Sequence, residues 1–263
     1  MRRSSLGWGV VLLLLGVLML GDAAGLRLPG GGRPMDFFWP LLLILAGGWI
    51  VLGVWMRPRL QSEQASVDLQ GASEASVTVN HGAGELRIAG GAGMGQLASG
   101  TFAGGLEQSA RRAGDRLEVR MSPPSPSFPF FGGWDRYDWD LHLSSEIPMT
   151  LSLKTGADKA DVDLGSLRLT GLKVETGASQ TRITLPRLGR LNADFSLGAA
   201  SLTINVPEGV AARVRVSQGV STVRVNASRF PRTGDVYQSP DFATAANAVD
   251  IKLEAGAADI SVN

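Results

Sequence analysis

The side chains in this sequence best suited to proton transfer at neutral pH are two histidines, His81 and His142. Each lies inside a strand-like stretch or at its edge, and no constellation of serine and carboxylate residues surrounds either one. Catalysis by an acid, a base or a nucleophile needs such partners within hydrogen-bond reach. The pattern therefore predicts two solvent-facing strand histidines in a protein that is not an enzyme.

The acidic segment GADKADVDLG contains the best metal-ligand candidates, Asp158, Asp161 and Asp163. Calcium-binding β-rolls use similar acidic repeats, in which one Asp stacks over another and supplies oxygen ligands. In the register derived below, Arg182 and Thr184 are the neighbours of Asp161 and Asp163, so the second carboxylate is missing. The segment therefore predicts no metal site, and we expect no cofactor.

Composition excludes several further kinds of site. The 263 residues include no Cys, which rules out disulfides, thiolate metal sites and cysteine nucleophiles. The 25 basic residues are balanced by 24 acidic ones, whereas nucleic-acid binding needs a clustered excess of Lys and Arg. The G-x-G at Gly82 and Gly84 is not followed by the helix start and Lys of a phosphate-binding loop. We therefore expect neither a nucleic-acid partner nor a small-molecule substrate.

Two uncharged apolar segments, Leu6–Gly21 and Phe37–Met56, stand apart from the rest of the chain. A helix of about 20 apolar residues spans the hydrocarbon layer of a bilayer. The second segment has that length, and the aromatic residues near its ends are typical of membrane interfaces. These segments predict helices at about residues 6–24 and 37–56 that form a transmembrane hairpin over residues 1–60.

The first apolar segment also has an alternative interpretation. Arg2 and Arg3 before it, and the small residues of GDAAG after it, also describe a cleaved secretory signal peptide. If the segment is retained, Arg2, Arg3, Arg57 and Arg59 favour a hairpin with both ends in the cytoplasm. We therefore expect an integral, multi-pass protein of the cell membrane, with the remaining residues in the cytoplasm or, alternatively, outside the cell.

Past residue 60 the apolar runs become short and alternate with polar residues, which indicates strands. A glycine recurs among them, and four of these glycines are each 21 residues apart, as in a stacked-coil protein. The repeat predicts a single-chain parallel β-solenoid over residues 61–263, an all-β domain of 21-residue coils with a glycine at each corner. The predicted corner residues are Gly82, Gly156, Gly177, Gly198, Gly219 and Gly256.

Alignment of the coils places equivalent side chains in rows. A corner in such a stack has little room for a side chain, because paired strands lie only about 4.8 Å apart. Outward rows bring opposite charges together in this register, as at Lys173, Asp194 and Arg215. One predicted inward-facing row consists of Val162, Ile183, Ile204 and Val225.

Two long excursions interrupt the repeat, at about residues 122–139 and 227–248. The first excursion is rich in Pro, Gly and aromatic residues. We expect its aromatic side chains either to cap the open end of the solenoid or to contact a bilayer or a partner protein. These side chains are Phe130, Phe131, Trp134 and Trp139.

The opening hairpin, with FFWPLLLILAGGWIVLG, resembles the transmembrane module of LiaF-type envelope-stress proteins. The segments HGAGELRIAGGA, ETGASQTRITLP, GAASLTINVPEGV and DVYQSPDFATAANAVDI resemble the toast-rack domain, so the resemblance covers nearly the full chain. It implies a bacterial, membrane-anchored β-solenoid that senses or regulates cell-envelope stress through contacts with other membrane or signalling proteins.

Two functions are open at this point. The favoured one is a non-enzymatic protein that binds other proteins through a solenoid face or the aromatic excursion. The alternative is an adhesin-like or ligand-binding module outside the cell, because β-solenoids also provide adhesive and carbohydrate-binding surfaces. A fold does not by itself choose between such functions.

Overall fold

A computed structural model describes residues 62–124, 137–218 and 222–263, with a few helical residues at positions 16, 19–20, 39–40, 42–44 and 47–48. Within the described residues, seventeen strands form one sheet. The strands are β1 (Ser62–Asp68), β2 (Glu74–Gly90), β3 (Gln96–Ala103), β4 (Glu107–Ala113), β5 (Arg116–Ser122), β6 (Tyr137–Leu143), β7 (Met149–Asp163), β8 (Leu169–Thr176), β9 (Gln180–Thr184), β10 (Arg190–Leu197), β11 (Ser201–Asn205), β12 (Ala211–Gln218), β13 (Thr222–Val225), β14 (Arg232–Thr233), β15 (Val236–Gln238), β16 (Ala248–Ala255) and β17 (Asp259–Val262).

The predicted transmembrane hairpin of residues 1–60 lies almost entirely outside the described residues. Crossing a bilayer requires a helix of about 20 mostly apolar residues. Among the residues that are described, none of the helical stretches has this combination of length and apolar character. The prediction of a two-helix, multi-pass membrane protein is therefore wrong.

The alternation of buried and exposed residues explains how one strand forms two faces. In β7 the buried positions are odd-numbered up to Thr155 and even-numbered from Asp158 onward. Because side chains in a strand alternate between two sides, this change of phase marks a corner at Gly156 and Ala157. We call the strand segments before such a corner the first face and those after it the second face.

Each pair of strand segments forms one coil, and coils stack through parallel ladders. β7 pairs with β8 on the first face and with β9 on the second, and β10 and β11 continue the two ladders. The predicted register of these coils is confirmed, because equivalent apolar side chains lie opposite one another and belong to one buried core. One inward row contains Val162, Ile183 and Ile204.

The position of the C-terminal coil, β16–β17, differs from the predicted arrangement. β16 pairs with β10 on one side and with β12 on the other, and β17 lies between β11 and β13. Val262 therefore separates Ile204 from Val225 in the inward row. The prediction that these two residues are direct neighbours is wrong, because coils that are consecutive in the chain are not adjacent here.

The outward charges change partners for the same reason. Lys252 lies between Asp194 and Arg215, and its Nζ is 3.9 Å from Asp194 Oδ1. Arg215 donates instead to Asp250 Oδ1 at 2.7 Å. The predicted pairing of Asp194 with Arg215 is therefore wrong.

The other end of the stack lies beyond β2. β5 pairs with the first half of β2, and β6 pairs with the second half. Antiparallel strands complete this end, because β4 pairs with β5, β3 pairs with β6, and β1 pairs with β3. β6 begins at Tyr137, so Trp139 lies in a core strand and is 1% exposed. Phe130, Phe131 and Trp134 of the first excursion lie outside the described residues.

The second excursion is folded against the stack. Between β13 and β16 the chain forms turns and the short antiparallel hairpin β14–β15, and β15 pairs with the outer side of β12. Phe230 and Phe242 of this excursion are buried. The excursion thereby covers the first-face edge of the last coil.

Candidate functional site

The glycine corners lie over one another along one edge of the stack and leave an open groove. Its volume is about 800 Å³, and its floor includes Gly177, Gly198 and Gly256. We call it the corner groove. The rim on the first face is one outward row of charged and short side chains, in spatial order Lys154, Glu175, Ser196, Glu254 and Ser217.

Close approach of neighbouring coils explains why glycine occupies the floor. A Cβ atom at Gly177 would lie 2.9 Å from the carbonyl oxygen of Gly156, and one at Gly198 would lie 2.9 Å from that of Gly177. Both distances are shorter than ordinary van der Waals contact, so a side chain would push the coils apart. At Gly82 a Cβ atom would meet no described atom within 4 Å. The demand for glycine is therefore strong in the middle of the row and absent at Gly82.

The main chain of the floor is already hydrogen-bonded between coils. Gly177 N donates to Thr155 O at 3.1 Å, and Gly198 N donates to Thr176 O at 2.9 Å. The equivalent donation from Gly256 N to Leu197 O is 3.0 Å long. The floor is thus a preformed surface, and recognition in the groove falls to the rim side chains.

The rim carries charge of both signs. Glu175 accepts from two lysines, with Oε1 2.7 Å from Lys173 Nζ and Oε2 2.9 Å from Lys154 Nζ. These hydrogen bonds lower the pKa of Glu175 to about 2, and the one from Lys173 has the largest effect. Glu254 lies further along the rim and is exposed. The rim therefore has an ion pair at Lys154 and Glu175 and an exposed carboxylate at Glu254.

A buried histidine–carboxylate pair lies on the inner side of the same corner. His81 Nε2 donates to the carbonyl oxygen of Tyr137 at 2.9 Å, and His81 Nδ1 is 3.1 Å from Asp158 Oδ2. Both ionisable side chains are 0% exposed. The His81 ring also meets the Trp139 ring edge-on, with 5.4 Å between centroids. Both ring nitrogens therefore face oxygen atoms that can accept a hydrogen bond.

The prediction that His81 faces solvent is wrong, because His81 continues the inward alternation of Val77 and Val79 in β2. His142 lies in β6 and is partly exposed. The three aspartates considered as calcium ligands are separated, since Asp158 points inward and Asp161 and Asp163 point outward. Among the described residues, no group of three His, Asp or Glu side chains converges on a possible metal position.

Several polar atoms of the inner corner have no hydrogen-bond partner within the described part of the chain. They are Asp158 Oδ1, Trp139 Nε1, Thr155 Oγ1 and Thr176 Oγ1. Leu197 and Ala255 occupy the positions of Thr155 and Thr176 in the next two coils. The inner corner is thus polar in the coils near β2 and apolar near β16.

The geometry of the corner explains why the sequence did not predict the contact between His81 and Asp158. In β2 and β7 the residue directly before the corner glycine points inward, as His81 and Thr155 do. In β7 the residue two positions after the corner glycine, Asp158, also points inward. The two positions are 77 residues apart in the chain. Only the stacking register brings them together. The feature of the sequence that could have predicted this contact is a polar residue at each inward corner position.

The structure places Gly177, Gly198 and Gly256 along the corner groove and Gly156 next to Gly177, while Gly219 lies outside the described residues. Trp139 belongs to the inner corner. Chemically, the open side of the corner can bind a ligand through its rim, whereas the inner pair cannot touch one because it is enclosed.

Residues 57–205 match the family model Toast_rack_N, described as the N-terminal domain of toast_rack, DUF2154. No curated protein matches the chain. A crystal structure of a candidate cell adhesion protein from Clostridium sporogenes ATCC 15579 is similar, with a TM-score of 0.68 and 22% identity, and the match covers 77% of this chain and 98% of that one. A candidate adhesin from Bacteroides fragilis NCTC 9343 matches 77% of this chain and 97% of its own, with 8% identity and a TM-score of 0.32.

Proposed function

The chain belongs to the Toast_rack_N family, and from that premise we propose that it is a non-enzymatic β-solenoid that binds another protein in its corner groove. The observation that carries this proposal is the groove itself, an open channel of about 800 Å³ over the glycine corners. A fold family hosts many functions, so the proposal depends on this site.

The lining of the groove favours a protein ligand over an apolar small molecule. Pockets for small molecules are enclosed and lined mainly by hydrophobic and aromatic side chains. The corner groove is open, its floor includes Gly177, Gly198 and Gly256, and its rim consists of Ser, Lys and Glu side chains, with Thr155, Thr176, Leu197 and Ala255 completing the lining. An extended polypeptide can lie over the glycines, and its own charges can pair with the rim.

The distribution of charge specifies the partner further. Lys154 is at one end of the rim and Glu254 is near the other, with Ser196 between them. A segment with a basic residue opposite Glu254 would complement this arrangement. Such pairs at a solvated rim contribute mainly to orientation and to the rate of association.

The enclosure of His81 and Asp158 supports a non-enzymatic role. A general acid or base must come within hydrogen-bond distance of its substrate. These two side chains are the best-placed acid–base pair in the described part of the chain, yet both are 0% exposed. In our proposal they stabilise the corner, and the groove on its outer side is the working surface.

We propose regulation of cell-envelope stress as the process in which the partner acts, on the basis of the resemblance to LiaF-type proteins. In that case Glu254→Lys, which reverses one rim charge, should alter the output of an envelope-stress reporter as deletion of the chain does. Asp163→Lys is a matched control, because Asp163 is an exposed carboxylate on the second face, away from the groove. An equal effect of the two variants would contradict the proposal.

Site-specific cross-linking tests the groove directly. A photoreactive amino acid at Ser196, on the rim, should form an adduct with one partner protein in cells that produce the chain. The same amino acid at Thr203 is the matched control, because Thr203 is a similarly half-buried residue of the same coil that faces outward on the second face. Equal adducts at both positions, or none at Ser196, would rule out the groove as the binding site.

Adhesion is a second candidate, favoured by one observation. The Clostridium sporogenes structure with the same fold is described as a candidate cell adhesion protein. If this chain is an adhesin, beads coated with it should bind to cells or to immobilised carbohydrates, and the Ser196 adduct should be missing. Beads that do not bind would exclude this candidate.

A further inference from the structure

The C-terminal coil occupies a slot between two coils that precede it in the chain. β16 forms eight residue pairs with β10 and eight with β12. β17 forms four pairs with β11 and four with β13. Both walls of this slot belong to residues 190–225, so they are complete before residue 248 is synthesised.

The slot is deep and apolar. The coil that fills it contributes five aliphatic side chains that are at most 2% exposed, namely Val249, Ile251, Leu253, Ile260 and Val262. Burial of such side chains is the main favourable contribution to folding. An empty slot would expose this apolar surface together with unpaired strand edges on both walls, and such edges are templates for another strand.

The connections between coils are long enough to leave room for an inserted coil between the two walls. Residues 185–189 lead from β9 to β10 in the adjacent coil, and residues 206–210 lead from β11 to β12 across one intervening coil. Two connections of five residues therefore cross one and two strand spacings. Five residues extend to about 16 Å, which is enough for both spans.

The segment that enters the slot is joined to β12–β13 by a long connection. Residues 226–247 separate β13 from β16. The first part of this connection is anchored, since Arg229 donates to Val206 O and Pro207 O and β15 pairs with β12. The last part is held to the slot walls, since Arg190 donates to Ala245 O and Gly189 N donates to Asn247 Oδ1. A second copy offers the same wall contacts, so the exposed residues Ala243 and Thr244 before them can act as the hinge that points β16–β17 towards a different slot.

We infer that the slot is an exchangeable binding site whose alternative occupant is residues 248–263 of a second copy of this chain. Exchange of an identical element between protomers is a low-cost route to dimers, because every contact of the monomer is reproduced. The second copy offers the same eight-residue and four-residue ladders and the same five aliphatic side chains. The slot is open during the synthesis of every chain, and at high local concentration a neighbouring chain can fill it.

Engineered cysteines in the full-length chain test this inference, since the natural sequence contains no Cys. Asp194 and Lys252 are paired residues of β10 and β16 on the exposed side of the first face. Paired positions on neighbouring strands lie about 4.8 Å apart, within the range that a disulfide bridges. An Asp194→Cys chain and a Lys252→Cys chain are co-expressed, oxidised and separated without reducing agent.

Exchange predicts a disulfide-linked heterodimer of the two chains. The control pair is Lys173→Cys with Lys252→Cys, because Lys173 is an exposed residue of the same row but is separated from Lys252 by β10. We expect about ten times more heterodimer from the matched pair than from the control pair, since exchange aligns only the former. A chain with both Asp194→Cys and Lys252→Cys should form the disulfide internally, which verifies the fold and the geometry. If that chain is oxidised internally while the matched pair gives no more heterodimer than the control pair, the inference is wrong.

Discussion

The coils from β7 to β11 and the coils from β12 to β17 are built from the same repeat, but they are stacked differently. In the first region the order of coils along the chain is also their order in space. In the second region the coil that comes last in the chain lies inside the stack, and the coil before it lies at the end. The family match, residues 57–205, ends with β11, so it covers the regular region and stops before the rearranged one.

Burial accounts for the difference. The inserted coil has neighbours on both sides, and Leu253 and Ile260 are at most 1% exposed. The end coil carries Val216, Val223 and Val225, which are only partly buried. The inserted segment is the more apolar one, because Ile251, Leu253 and Ile260 stand where the end coil has Val214, Val216 and Val223. It therefore gains more from two-sided burial, at about 25 cal/mol per Å² of apolar surface. The comparison teaches that the repeat determines the register of a coil, whereas burial determines its place in the stack.

The largest expected effect concerns the regular region. Phe195 is 1% exposed and lies between Val174 and Leu253. Phe195→Ala should leave a cavity and lower the free energy of unfolding by about 3–5 kcal/mol. Urea denaturation measures this loss. A loss below about 1 kcal/mol would mean that Phe195 does not lie inside the stack.

In the rearranged region, the inserted coil β16–β17 should be more sensitive to loss of a core side chain than the end coil β12–β13. Leu253→Ala in the inserted coil should cost about 2–5 kcal/mol, because the residue is 1% exposed. Val216→Ala in the end coil is the control, and it should cost about 1 kcal/mol because Val216 is only partly buried. If the two costs were reversed, β12–β13 would be the enclosed coil. Both variants are compared by urea denaturation.

Glycine corners allow a third comparison. Gly177→Ala should destabilise the protein by about 1–3 kcal/mol, because the added Cβ would crowd the Gly156 carbonyl. Gly82→Ala should leave stability unchanged or raise it by up to about 1 kcal/mol, since its Cβ meets no described atom and alanine restricts the unfolded chain. Thermal melting distinguishes the two. Equal melting temperatures would contradict the close approach of the corners.

Two threonines of the inner corner should respond to the same substitution with opposite signs. Thr176 Oγ1 is buried without a partner within the described part, whereas Thr181 Oγ1 is 3.1 Å from Ser179 Oγ. Thr176→Val should therefore raise the free energy of unfolding by about 1 kcal/mol, and Thr181→Val should lower it by about as much. A loss of stability in both variants would show that the Thr176 hydroxyl is satisfied.

The smallest effect concerns acid stability in the rearranged region. Burial alone would raise the pKa of Asp250, but hydrogen bonds from Arg213 and Arg215 outweigh it and lower that pKa below 3.8. The stabilisation by this carboxylate is therefore complete above pH 3.8 and is lost as the pH falls through the lowered pKa. The stability difference between wild type and Asp250→Asn should shrink as the pH falls from about 5 to about 2, as measured by urea denaturation at each pH.

Much of the regular region could be predicted from the sequence. The glycine spacing and the alternation around Leu151, Leu172 and Ala193 define the parallel register that the ladders have. These features are local and repeat with one period, so the physics of a single coil extends to its neighbours.

The order of the last coils and the inner corner could not be predicted in the same way. Units around Gly198, Gly219 and Gly256 are compatible with one another in any order, because each presents the same strand phases and corner. The choice depends on which segment gains most from burial on both sides. The contact of His81 with Asp158 depends on a change of strand phase at the corner, which a fixed alternation does not include.

Methyl–methyl nuclear Overhauser effects test the central claim of this account, the insertion of β16–β17 between β10–β11 and β12–β13. Adjacent strands lie about 4.8 Å apart, and strands separated by one other lie about 10 Å apart. With β17 inserted, the Val262 methyl groups should give cross-peaks to both Ile204 and Val225, and Ile204 and Val225 should give none to each other. A direct cross-peak between Ile204 and Val225, with none from Ile204 to Val262, would contradict the insertion.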